Sequence, residues 1–133
     1  MSLLYRLLQS GRPALMAICQ EYELTPPQAF LLRYLDPDKP VAMNELAEAL
    51  ACDASNITGL VDRLETRGLL QRQQDSADRR VKMIVVTESG AKFRRNLLSR
   101  LLEPPIPLAS LPEGDKRTLH NLLKRALERS EHA

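Results

Sequence analysis

The sequence predicts a mainly α fold that carries one small β-hairpin. Three observations lead there. Apolar residues recur at helical spacing through most of the 133 residues. Residues 69–86 break that period with β-branched and alternating stretches around a polar centre. Aromatic residues make up only 4% and Trp is absent, so the core has to be built from Leu, Val, Ile and Ala. Hydrophobic residues at 44% and charged residues at 27% suit a folded chain of about one domain, 1–133. A domain of this size buries only about two-thirds of its unfolded surface, so a core shared with a second subunit would add stability.

The elements follow in order. Leu3, Leu7, Ala14, Ile18 and Tyr22, flanked by Leu4, Leu8, Leu15 and Cys19, mark an amphipathic first helix. Gly11 and Pro13 should kink or divide it. Thr25-Pro26-Pro27 is a helix start, with Thr25 as N-cap and Pro26 where a missing N–H costs nothing. That helix ends at Asp36-Pro37-Asp38-Lys39-Pro40. Asn44 is the expected N-cap of a short helix carrying Leu46, Ala47 and Leu50. The link Ala51-Cys52-Asp53 leads to a longer helix, Ala54–Arg67, capped by Asp53 and closed by Gly68. Two helices with so short a link form a helix-turn-helix pattern. Strands are expected at Leu69–Gln73 and Val81–Val86, around the charged tip Gln74–Arg80. Phe93, Leu97, Leu98, Leu101 and Leu102 mark the next helix, which stops at Pro104-Pro105-Ile106-Pro107. The last helix starts at Pro112-Glu113, with Leu119, Leu122, Leu123, Ala126 and Leu127 expected inward.

The net charge of +2 is small, but its distribution is uneven. Residues 53–100 carry ten Lys or Arg against six Asp or Glu, so a polyanion would be met in the middle of the chain. From charge alone, a solvated basic face is an equal reading. Arg6, Gln9 and Arg12 interrupt the apolar start before a signal sequence can form, and no run approaches the roughly 18 apolar residues that span a bilayer. The expectation is a cytoplasmic protein with no membrane partner. Two Cys make no disulfide framework. Cys19 sits on an apolar stripe and Cys52 has no adjacent cation, so neither reads as a redox sensor. His120 and His132 are isolated, and no metal or cofactor is expected. The chain has no phosphate-cradling Gly loop and no nucleophile paired with a His, which argues against an enzyme.

Four motifs, in one order and with natural spacing, resemble the MarR family of bacterial transcriptional regulators. They are Leu46-Ala47-Glu48-Ala49-Leu50; Ser55-Asn56-Ile57-Thr58-Gly59-Leu60-Val61-Asp62-Arg63-Leu64-Glu65 with Arg67-Gly68-Leu69; Asp75 through Asp78-Arg79-Arg80; and Val86-Thr87-Glu88-Ser89-Gly90. Leu24-Thr25-Pro26-Pro27-Gln28 matches the family as well, so the likeness covers nearly the whole chain. The resemblance implies a winged helix-turn-helix over 25–90, with dimerisation helices in 1–22 and 91–131. It also implies a homodimer on a palindromic duplex-DNA operator, read as a repressor. A small aromatic or anionic ligand, lodged between the dimer helices and the winged region, is implied as the releasing signal.

Within that frame Ala54–Arg67 is the expected recognition helix. Ser55, Asn56 and Thr58 are small polar groups that reach base edges or phosphates without blocking the major groove. Gly59 costs about 1 kcal/mol in a helix relative to Ala, and reads either as room for close approach to DNA or as a helix-packing site. Arg63 and Arg67, one turn apart, can grip phosphate, and Arg63 can equally pair with nearby carboxylates. At the tip, Arg79, Arg80 and Lys82 follow Asp78 closely. The resemblance implies that Arg80 enters the minor groove, where negative potential is focused, while Asp78 holds it and Arg79 touches the backbone. Apart from DNA binding, a winged-helix module used for protein–protein assembly remains open.

Overall fold

The computed structural model describes residues 2–102 and 106–131. His132 and the Pro104-Pro105 pair therefore lie outside the described residues. The elements run α1 (Leu3–Ser10), α2 (Arg12–Glu21), α3 (Pro26–Tyr34), β1 (Val41–Ala42), α4 (Met43–Ala49), α5 (Ala54–Thr66), β2 (Leu70–Gln74), β3 (Lys82–Val86), α6 (Glu88–Leu101), α7 (Ile106–Ala109) and α8 (Glu113–Glu131). Leu15–Leu102 forms one compact unit; the described residues of Met1–Ala14 and Glu103–Ala133 form the other. The first unit is wider at both ends than the 25–90 segment expected for the winged region.

The larger unit holds the core. Leu31 and Leu32 from α3, Leu35 just after it, Leu46 from α4, Leu64 from α5 and Ile84 from β3 are fully buried. Gly11 divides the first helix into α1 and α2, as expected. Thr25 caps α3 by accepting from Gln28 N, and Gln28 Oε1 accepts from Thr25 N at 2.9 Å, closing a capping box. Antiparallel strands order as β1-β3-β2, with Val41 opposite Ile84 and Leu70 opposite Val86. Thr87 caps α6 and donates to Gly68 O at 2.6 Å, which ties the start of α6 to the end of α5.

Three expectations are corrected. Asn44 is not an N-cap: α4 starts at Met43 behind Ala42, and Asn44 Oδ1 accepts from Glu45 N at 3.0 Å inside the first turn. The pairing of β1 with β3 fixes the chain at Val41 and Ala42, so the helix starts straight from a strand and uses no side-chain cap. The strands sit one residue later than their expected starts. The Val81 N–H bonds to Asp78 O and closes the tip, so Val81 belongs to the turn. Finally, the Leu stripe of α8 is not inward in the protomer: Leu122, Leu123 and Leu127 are 49%, 47% and 65% exposed. Spacing identifies which face of a helix is apolar, and leaves open which chain covers it.

Candidate nucleic-acid interface

α5 is built to present its first turn. Asp53 accepts from Asn56 N at 2.9 Å, and Ile57, Leu60, Val61 and Leu64 bury the opposite face. Asp53 also accepts from Ser55 Oγ at 2.9 Å; these bonds, led by the one from the Asn56 backbone, hold its carboxyl below the ordinary 3.8. Ser55 and Thr58 are exposed, but their hydroxyl protons are engaged: Ser55 donates to Asp53, and Thr58 donates to Ala54 O at 2.8 Å. Each must release that bond to donate to a phosphate. Asn56 and Arg63 are exposed, and among the described residues neither side chain has a partner.

Ser55, Asn56, Gly59 and Arg63 line one open recess of about 450 Å³ with Pro27, Cys52 and Leu60. An added Cβ at Gly59 would meet no heavy atom within 4 Å. Helix packing inside the protomer therefore does not explain this glycine. The two carboxylates beside Arg63 on α5, Asp62 and Glu65, are bound by Arg72.

Arg67, read as one of two cations able to grip phosphate, is engaged within the fold. Its guanidinium donates to Glu23 O and Tyr22 O, each at 3.0 Å, and lies 5.0 Å from the Phe93 ring centroid. Tyr22 in turn meets Phe93 edge-on. Glu23 has φ 53, and the turn after α2 presents the Tyr22 and Glu23 carbonyls to the arginine. Arg67 thus braces α5 against the turn after α2 and against α6, with both terminal nitrogens donating within the fold.

The wing tip is held by its own aspartates. Asp78 Oδ1 accepts from Arg80 N at 3.1 Å and Nε at 3.2 Å, which lowers its pKa, the side-chain bond contributing most. Asp75 Oδ1 accepts from Ala77 N. The Arg80 side chain is 91% exposed, so Asp78 orients it without burying it. Arg79 and Lys82 are exposed, with no partner among the described residues. Arg80 and Lys82 share a second recess with Met43, Asn44 and Val81.

Of the ten cations in residues 53–100, four serve the fold. These are Arg67, Arg72, Arg94 on Leu32 O and Arg33 O, and Arg100 on Glu21. Sequence reasoning missed the brace roles of Arg72, Arg94 and Arg100. Only for Arg72 was there a signal, the pair Asp62 and Glu65 three residues apart on one helix face. Cys19 is 1% exposed and burial raises its thiol pKa; Cys52 is half-buried and donates to Leu50 O. Among the described residues no three His, Cys, Asp or Glu side chains gather into a metal site, and no helix is long and apolar enough to cross a membrane.

Comparison with known proteins agrees with this geometry. The sequence profile of the MarR family matches residues 24–82. NicR of Pseudomonas putida, an HTH-type transcriptional repressor, is 33% identical over 112 residues, 84% of this chain and 71% of that protein. YfiV of Bacillus subtilis, an HTH-type transcriptional regulator, is 31% identical over 110 residues, 80% of this chain and 69% of that protein. The fold is that of wild-type apo MarR from E. coli, with a TM-score of 0.80, 22% identity and 94% of each chain covered. The alternative of a module used only for protein–protein assembly is not favoured by these relatives. The chain belongs to the MarR family and is a winged helix-turn-helix transcriptional regulator.

Proposed function

We propose that this chain is a cytoplasmic, non-enzymatic repressor that binds a palindromic duplex operator as a homodimer. α5 enters the major groove, with Asn56 at base edges and Arg63, Ser55 and Thr58 at phosphates. Gly59 permits close approach. The wing places Arg80 in the adjacent minor groove, with Asp78 orienting it and Arg79 and Lys82 on the backbone. The observation that carries this reading is the tip: an arginine 91% exposed, yet pinned in orientation by its own aspartate. Such a group is pre-organised for a narrow, negative groove. The dimer is assigned to segments 1–22 and 91–131. Supporting it are the exposed Leu3, Leu4, Tyr5 and Leu8 of α1 and the Leu stripe of α8, which the protomer leaves uncovered. A small aromatic or anionic ligand releases the operator by favouring a dimer whose recognition helices are wrongly spaced, through unequal affinity for the two arrangements.

The test is affinity for a duplex selected from random sequence, measured across salt. Wild type should lose affinity steeply as salt rises, because phosphate contacts release counterions and that release is less favourable at high salt. Arg80→Ala should bind more weakly by about 1–3 kcal/mol. Unchanged affinity in Arg80→Ala would remove the wing from the mechanism. Removal of residues 1–20 should leave a monomer, and a stable truncated dimer would show that the interface lies elsewhere.

A further inference from the structure

α5 carries two carboxylates, Asp62 and Glu65, in the part of the molecule read above as facing a polyanion. Both are claimed by one residue of the wing. The Arg72 backbone N–H donates to Glu65 Oε2 at 3.0 Å, its Nη1 donates to Glu65 Oε1 at 3.1 Å, and its Nη2 donates to Asp62 Oδ1. The Arg72 side chain is 25% exposed, far less than the 91% of Arg80, so its guanidinium is turned into the protein. A planar fork that spans two carboxylates one helical turn apart is a task for arginine, which a lysine point charge cannot reproduce.

Arg72 also has a central place in the hairpin. It lies opposite Ile84 in a register that ends with Gln74 opposite Lys82, two residues from Arg80 in the turn. The covalent path from α5 to β2 is Arg67, Gly68 and Leu69, and no side chain of that path reaches the outer half of the hairpin. The buried Leu70 and Ile84 and the Thr87 bond to Gly68 O anchor the base of the hairpin; Arg72 adds a side-chain tie to α5 further along it, toward the tip that carries Arg80.

We propose that Arg72 is a positioning residue for DNA binding: it locks the wing to the recognition helix so that the two groove-reading elements act as one rigid body. This rests on the DNA-binding reading above. The experiment uses the full chain and a duplex selected by the wild type, with affinity measured from about 50 to 200 mM salt. Arg72→Lys keeps the charge and loses the fork. It should bind about tenfold more weakly, the equivalent of one charge-assisted hydrogen bond, with an unchanged salt slope because no phosphate contact is lost. Asp62→Asn removes an anion near DNA, which simple electrostatics predicts to tighten binding; positioning predicts several-fold weaker binding. Asp62 is 59% exposed, so this variant decides the matter even if Arg72→Lys fails to fold. Arg72→Lys binding like wild type, a salt slope lower by about one, or tighter binding by Asp62→Asn would each overturn the proposal alone. A wild-type chain that binds no duplex would overturn the functional reading itself.

Discussion

Replacing Gly59 by Ala should make the protein more stable and a weaker DNA binder. Glycine inside a helix costs about 1 kcal/mol relative to alanine, because it gives up more backbone freedom on folding. At Gly59 the new methyl would meet no heavy atom within 4 Å, so no steric loss offsets that gain. The folded state should gain about 1 kcal/mol, a rise of roughly 4 °C in Tm for a domain of this size. Urea and thermal unfolding at fixed protein concentration read this directly, since a dimer's midpoint depends on concentration. The same methyl enters the recess shared by Ser55, Asn56 and Arg63, where the helix is assigned to approach DNA. There it should cost about one contact, on the order of 1–3 kcal/mol of affinity. A destabilised Gly59→Ala would mean that something outside the protomer packs on this position. A stabilised variant with unchanged affinity would refute close approach by α5.

Other perturbations separate structure from contact. Gly90→Ala should behave in the opposite way to Gly59→Ala: its Cβ would fall 2.0 Å from the Leu69 carbonyl oxygen, so urea unfolding should show a loss of about 3 kcal/mol, and wild-type stability would contradict the tight junction of α6 with β2. Arg67→Met should cost about 2 kcal/mol of stability through the bonds to Tyr22 O and Glu23 O, while the salt slope of DNA binding stays at the wild-type value; a slope lower by about one would restore Arg67 as a phosphate contact. Asp53 has a carboxyl held below 3.8 by the α5 cap, so its contribution is complete above that pH and is lost as pH falls through the lower folded-state value. Urea midpoints of wild type and Asp53→Asn should therefore differ at neutral pH and converge in acid; a constant difference would mean that the charge is irrelevant to the cap.

Much of the fold was legible because its signals are local. Thr25-Pro26, Asp53 and Gly68 each do at their own position what residue chemistry requires: a cap, a cap, and a left-handed stop at φ 75. What sequence could not reveal depended on distant partners. Asn44 looks like a cap until β1 pairs with β3 and sets the helix start itself. For Arg67 the sequence suggests only phosphate; its bonds to Tyr22 O and Glu23 O, more than forty residues away, emerge with the fold. Leu122, Leu123 and Leu127 announce an apolar face, but spacing carries no information about whether that face is covered within one chain. The candidate site divides along the same line. The Asp78–Arg80 pair is two residues apart and readable, whereas for the Arg72 lock the sequence offers only the carboxylate pair Asp62 and Glu65, and which cation fills it depends on how β2 lies against α5.

The central claim is that two reading elements of each subunit sit in neighbouring grooves of one duplex. Nucleotide-resolution footprinting on a selected operator tests it most directly. The account predicts two symmetric half-sites about one helical turn, roughly 34 Å, apart, each flanked by minor-groove protection that vanishes in Arg80→Ala. A single asymmetric patch, or flanking protection that survives loss of Arg80, would contradict it.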